Sequence, residues 1–257
     1  MRRALALLLA ARSAPVLGAP IEGDEVTVQG ATFRMGSVER RAAPNEGPVR
    51  DVTVSTFTID RTEVTLGAYR ACVERGACAP PVSDSRRCSW LRGDPRLPMN
   101  CVSHEEAARF CAARGRRLPT EAEWELAARG PRARLYPWGD EPPDCARAVS
   151  TKGEKTADSC GSDGPLPVST TRGQSPSGAA DLAGNVAEWV ADFYDHRHAT
   201  GASTPDVDPH GPDTGSSFVV RGGGWLSPRS HLRVTARGWA SAAERGSGVG
   251  FRCAGRP

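Results

Sequence analysis

Four groups of residues in this chain have the types and spacing for chemistry. His196 and His198 alternate in a polar segment that also holds Asp192 and Asp195, a donor set suited to a transition metal. Ser227 and His231 stand four residues apart, the pair of side chains from which an activated nucleophile is built. Gly222, Gly223 and Gly224 form a run of the kind that lets backbone approach a phosphate. Eight cysteines are enough for disulfides, a metal centre or a reactive thiol.

Local context narrows each reading. Histidines in a loop-forming stretch of Gly, Pro, Asp and Ser read first as solvated side chains. Pro228 lies between Ser227 and His231, and the chain has no G-x-S-x-G motif. No helical pattern follows the glycines, so they read as permitting close strand packing rather than binding phosphate. The cysteines show no C-x-x-C and no histidine at ligand spacing. Their even number reads as a set of disulfides. Cys72 and Cys78 flank Gly76, Cys88 and Cys101 bracket a Pro-rich loop, and Cys145 and Cys160 bracket another loop. Cys111 and Cys253 remain, and spacing alone does not fix the pairing.

A fifth group is suited to binding. Trp225, Arg229, His231, Arg233 and Arg237 crowd one C-terminal stretch, with Trp239 just beyond. Aromatic rings beside arginines recognise peptides, carbohydrates or acidic groups. The same tryptophans suit a core and the same arginines suit ion pairs, and each residue taken singly reads that way.

Short elements must position these residues. Val26–Val28, Thr32–Met35 and Val52–Ile59 read as strands, as do Phe218–Arg221, Leu232–Ala236 and Gly250–Cys253. Three helices are predicted. One follows Thr65 and stops near Gly76. A second follows the capping box Ser103–Glu106 and stops at Gly115, and a third follows the capping box Thr120–Glu123 and stops at Gly130. Asp140–Pro167 and His196–Ser216 read as long loops, and no linker separates two cores.

The 257 residues suffice for one large domain, and 39% hydrophobic content with a mean hydropathy of −0.43 fits a globular protein exposed to water. Residues 1–18 read as a secretory leader: basic Arg2 and Arg3, apolar Ala4–Ala11, and small or short side chains before Ala19. The apolar run is too short to span a bilayer, and no cysteine follows Gly18 to carry a lipid. Export to the periplasm or the cell exterior is therefore expected, in keeping with disulfides. The leader holds three arginines and no acid, so its removal takes the formal charge from +3 to zero. A chain without a global basic field is not expected to bind nucleic acid or an anionic membrane.

Nine motifs occur in one order from Gly30 to Ala254. They are Phe33-Arg-Met-Gly-Ser37, Phe57-Thr-Ile-Asp60, Thr62-Glu-Val-Thr65, Pro98-Met-Asn-Cys-Val-Ser103 and Arg117-Leu-Pro-Thr-Glu-Ala-Glu-Trp-Glu125. Then come Tyr136-Pro-Trp-Gly139, Asp181-Leu-Ala-Gly-Asn-Val-Ala-Glu-Trp189, Arg221-Gly-Gly-Gly-Trp225 and Gly250-Phe-Arg-Cys-Ala254. In these motifs the chain resembles the formylglycine-generating enzyme family, the sulfatase-modifying factors. The resemblance implies one α+β domain over residues 24–257, of C-type-lectin-like fold, with short strands and long loops. It also implies a disulfide between Cys111 and Cys253, and a calcium site. Asp181 and Glu188 would supply carboxylate oxygens there, and Gly184 and Val186 would supply backbone carbonyls. The family's other calcium site would need an Asn near Ala148 and Val149, where the chain has none.

The family's catalytic centre does not carry over. Its active members use two cysteines to bind copper(I) and oxidise a substrate cysteine; these positions align with Ser227 and Leu232. Copper(I) requires soft sulfur ligands, so copper is not expected. The family's nearby serine and tryptophan are Gly224 and Ala187 here. No cysteine lies between Cys160 and Cys253, so no shift of the alignment restores the pair. The expectation is a calcium- and disulfide-stabilised binding or accessory module for a peptide, glycan or envelope protein. The alternative is a cysteine-independent, metal-dependent oxidase using the same cleft through His196, His198 or His231.

Overall fold

The computed structural model describes residues 24–37, 39–40, 42–83, 85–151, 160, 163–196 and 206–257. The leader at 1–18 and His198 lie outside the described residues. Three helices begin where a side-chain oxygen can satisfy the free N–H groups of a first turn. Helix α1 (Leu66–Glu74) is capped by Thr65, whose hydroxyl accepts from the Ala68 N–H at 3.2 Å. A one-turn helix α2 (Ser89–Arg92) follows Cys88 and was not expected, being too short to show a periodic stripe. Helix α3 (His104–Ala113) and helix α4 (Glu121–Arg129) carry both halves of their capping boxes, Ser103 with Glu106 and Thr120 with Glu123. Gly130, at φ 64°, takes a conformation that side chains resist and ends α4.

Strands β1 (Glu25–Val28), β2 (Ala31–Met35), β3 (Arg50–Val54) and β4 (Phe57–Asp60) fill the N-terminal part. The stretch Val52–Ile59, expected as one strand, is thus two, broken at Ser55 and Thr56. Strands β5 (Ala187–Phe193), β6 (Asp206–Val207), β7 (Ser217–Arg221), β8 (Arg237–Ser241), β9 (Val249–Phe251) and β10 (Ala254–Gly255) follow. They assemble as three small sheets, ordered β1-β4-β10, β2-β3-β6 and β8-β7-β5-β9. The architecture is α+β, as expected.

Leu232–Ala236 is not a strand. The chain makes a 3-10 turn at Arg229–Leu232 instead. Side chains and loops occupy the hydrogen-bonding groups a neighbouring strand would use. The Arg221 guanidinium donates to the Thr235 and Ala236 carbonyls at 3.2 and 3.1 Å, and the Val234 N–H donates to Leu135.

Helix α4 is buried along its whole length, acids included. Its apolar face packs Trp124 and Leu126 against Val52, Ile59 and Leu182. Its acids serve as internal ties: Glu125 meets Arg221 at 2.5 Å and Arg129 at 2.8 Å. A second cluster joins α1 and α3 to the four-stranded sheet through Tyr69, Phe110, Trp189 and Phe251. All eight cysteines are paired: Cys72–Cys78, Cys88–Cys101, Cys111–Cys253 and Cys145–Cys160. Cys111–Cys253 is the pairing the family resemblance implied. Among the described residues no helix is long and apolar enough to cross a membrane.

Candidate functional site

Strand β7 runs into Gly222 and Gly223, both at positive φ. A Cβ on Gly222 would stand 3.1 Å from both the Leu182 carbonyl and the Trp124 ring. The glycines let the chain turn sharply against the core and lay residues 224–236 beside β7 and β8. Between this segment, strand β8 and the turn at Pro44–Glu46 lies a cavity of about 580 Å³, a size suited to small ligands. Ser227, His231, Arg233, Arg237 and Trp239 are on its wall, with Asn45 and Glu46 opposite in sequence.

Ser227 and Leu232, the two positions expected in place of the family's thiols, differ in their surroundings. Ser227 is partly exposed on the wall, and its hydroxyl accepts from the Gly224 N–H at 2.9 Å. Leu232 is fully buried beneath and packs with Ala148 and Ala183, with Tyr136 and Trp138 against that cluster. Of the cleft residues expected from sequence, His231, Arg233 and Arg237 line the cavity, while Arg229 does not. Trp225 follows the core reading and not the cleft reading: it is 2% exposed, and its indole N–H donates to the Ser247 carbonyl at 3.1 Å. Trp239, three-fifths exposed, is the tryptophan at the cleft.

Both cleft arginines are committed to carboxylates. Arg233 grips Glu46 through both terminal nitrogens at 2.5 and 2.6 Å, and Thr235 donates to the same carboxylate at 2.7 Å. Burial alone would raise the Glu46 pKa, but the bonds from Arg233, the Ala43 N–H and Thr235 outweigh it and hold it below the usual range. Arg237 grips Glu121 at 2.6 and 2.8 Å. Sequence could not pair these groups, because 187 and 116 residues separate the partners.

The segment expected to hold calcium lies on the other side of Gly222, whose carbonyl accepts from the Gly184 N–H. Asp181 and Asn185 both take positive φ, at 58° and 61°, which folds the loop into a tight coil. The Asp181 carboxylate accepts from the Ser169 N–H at 2.5 Å and from the Thr171 hydroxyl at 3.2 Å. Glu188 accepts from the Trp124 indole at 2.8 Å and twice from Arg252 at 2.7 Å. A third acid, unnoticed in the sequence, is Glu63. It is 1% exposed, its carboxyl lies beside that of Asp181, and one of its oxygens accepts from Asn185 while the other meets no donor among the described residues. Burial, and then the Asp181 charge, push the Glu63 carboxyl well above the usual range against the pull of Arg252. Burial likewise raises Asp181.

Three buried carboxyl groups therefore share one buried guanidinium, and the raised pKa values of Glu63 and Asp181 express the cost of charging all three out of water. A hard cation would offset that cost and displace the protons. The side chains are not gathered at one point at ligand distance, so such a cation would draw its remaining oxygens from backbone. The carbonyls of Gly184 and Val186 accept no backbone hydrogen bond among the described residues.

Transition-metal donors are dispersed. His231 is on the cleft wall, His196 is exposed beside Asp195 at 3.4 Å, and His104 bonds to the Val190 carbonyl within the fold. Among the described residues no three His, Cys, Asp or Glu side chains are grouped as metal ligands.

Known proteins share this sequence and fold. Residues 18–257 match the model of the sulfatase-modifying factor enzyme 1-like domain. The formylglycine-generating enzyme of Thermomonospora curvata is 32% identical over 90% of this chain and 93% of its own length. The inactive C-alpha-formylglycine-generating enzyme 2 of Bos taurus is 31% identical over 90% of this chain and 86% of its own. The solved structure of PvdO from Pseudomonas aeruginosa superposes with a TM-score of 0.76 at 27% identity, covering 92% of this chain and 95% of that one. The chain belongs to the sulfatase-modifying factor, or formylglycine-generating enzyme, family.

Proposed function

We propose that this protein is an exported family member that no longer generates formylglycine and acts as a calcium- and disulfide-stabilised binding or accessory module. The observation that carries the reading is the state of sulfur. Every cysteine is in a disulfide, and the two aligned positions hold a hydroxyl and a buried leucine. A hydroxyl is a poor ligand for copper(I), and neither side chain can exchange with a substrate thiol. Similarity to an inactive relative supports the same reading. A cavity lies beside these positions, and a peptide, glycan or envelope protein is the class of partner it would hold.

Asp181, Glu188, Glu63 and the carbonyls of Gly184 and Val186 would hold the calcium. Its role would be to neutralise buried charge and so fix the loop that runs beneath Gly222. Four disulfides support a home outside the cytoplasm.

The test is elemental analysis of the purified mature protein after dialysis without chelator, with oxygen consumption measured on a cysteine-containing peptide. Near-stoichiometric calcium, no copper, iron or manganese, and no oxygen uptake are expected. A stoichiometric transition metal or turnover would overturn the reading in favour of a cysteine-independent oxidase. Asp181→Ala should remove the rise in melting temperature that calcium produces; an unchanged rise would refute the assigned loop.

A further inference from the structure

We propose that the cleft takes a neutral oligosaccharide, with one sugar ring stacked on Trp239. This rests on the binding-module reading and adds the ligand class.

A single exposed hydrophobic side chain is ordinary. Trp239 differs because its ring is held in place. It stacks on Tyr194 with centroids 4.9 Å apart and planes 23° apart. The Arg237 guanidinium stands 5.1 Å from the Tyr194 ring, and the Tyr194 hydroxyl accepts from the Asn45 amide at 2.9 Å. Arg237 in turn is fixed by Glu121 and by the carbonyls of Asn45 and Asp195, at 3.0 and 2.9 Å. The platform is therefore ordered before any ligand arrives, which removes part of the entropic cost of binding.

The chemistry of the wall selects against charge. Arg233 and Arg237, which in sequence suggested an acidic ligand, are each neutralised by a bidentate carboxylate. What remains is hydrogen bonding. The Asn45 amide nitrogen must face the Arg237 carbonyl, to which it donates at 3.3 Å, so its oxygen is the free end. That oxygen meets no donor among the described residues, but it is buried and closed to a ligand. The polar groups on the wall that are open to one include Ser227 and the exposed His231. Ser227, whose oxygen already accepts from Gly224, has its own O–H to donate. An uncharged ligand with an apolar face and a hydroxyl-bearing edge fits an aromatic platform beside such groups, and a sugar ring has both.

The structure favours this over an extended peptide. Strand β8 is an edge strand, and a peptide could add to it by backbone pairing. The Arg237 carbonyl on that edge is already taken by Asn45.

The experiment uses the mature protein and three neutral probes: tetrasaccharides of β-linked glucose, of α-linked glucose and of β-linked N-acetylglucosamine. A sulfated tetrasaccharide and a cysteine-containing hexapeptide are the comparators. Binding is followed by calorimetry and tryptophan fluorescence. At least one neutral probe should bind saturably, with an affinity insensitive to salt. Trp239→Ala should weaken it at least about tenfold, and Trp239→Phe should weaken it less. Circular dichroism of both variants checks that the exposed site was changed without unfolding. Failure of all neutral probes to bind overturns the proposal. So does binding that Trp239→Ala leaves intact, or a salt-sensitive preference for the sulfated probe or the peptide. Metal content and oxygen uptake measured on the same preparation test the underlying reading separately, so the two can fail independently.

Discussion

Removing the Cys111–Cys253 disulfide should cost far more stability than removing Cys72–Cys78, and the difference can be worked from loop length. The first closes 142 residues and the second six. In the chain-entropy account, a cross-link lowers the entropy of the unfolded chain by a constant plus a term in the logarithm of the loop. At 25 °C this gives about 5 kcal/mol for the long loop and about 2 kcal/mol for the short one. Three of the four sulfurs are fully buried and Cys78 is nearly so, so the packing lost on replacement by alanine is similar in both cases. The comparison of Cys111→Ala/Cys253→Ala with Cys72→Ala/Cys78→Ala therefore isolates a difference of about 3 kcal/mol. Urea unfolding of both variants and the parent, under non-reducing conditions, measures it. The long-loop variant should also show the larger m-value, because its unfolded chain expands further. Equal losses, or a larger loss for the short loop, would refute the argument.

Burial, and next the Glu121 charge, raise the Asp192 pKa to about 7, against N–H bonds from Glu121 and Gly211. Folding then takes up a proton between about pH 4 and 7, so this stabilisation is complete at low pH and is lost as pH rises through 7. Asp192→Asn should remove a slope of up to about 1.4 kcal/mol per pH unit from the melting profile in that window, and a parallel profile would contradict it. Glu125→Gln leaves Arg221 and Arg129 buried without their shared carboxylate and should cost about 3–5 kcal/mol in urea unfolding, whereas a change below about 1 kcal/mol would sink the claim. Restoring thiols with Ser227→Cys and Leu232→Cys should not restore oxygen uptake in the copper-loaded protein, because Gly224 and Ala187 remain. The smaller side chain at 232 should also lower stability by about 1–3 kcal/mol. Recovered turnover would show that the thiols alone were missing.

What could be read from sequence was governed by neighbours along the chain. Thr65, Ser103 and Thr120 cap helices through atoms three residues away, and all three caps are present. Strand β5 escaped notice because it is buried on both faces over Ala187–Val190 and so shows no alternation. Leu232–Ala236 has the composition of a strand, but Arg221 occupies two of its carbonyls, and nothing local announces that. The cleft arginines read singly as ion-paired, and Arg233 and Arg237 are; their partners Glu46 and Glu121 could not be named because they are remote in sequence. Glu63 and Asn45 left no signal beyond their types. Their significance is that one oxygen on each is buried and meets no donor among the described residues, which only the packed chain creates.

Gly224 is the residue expected in place of the family's serine. A Cβ there would stand 2.7 Å from the Gly248 carbonyl, which is itself bonded to the Ala187 N–H at 2.8 Å. The obstruction is backbone held by a hydrogen bond, not a side chain that can swing aside. Beneath it, Leu232 fills its pocket completely. The residues expected in active relatives therefore cannot be introduced one at a time at no cost. Serine at 224 requires Gly248 to move first, and cysteine at 232 opens a void. On the proposed reading, the packing around the cleft holds the chain to binding, because an oxidase centre would need several coordinated changes at once.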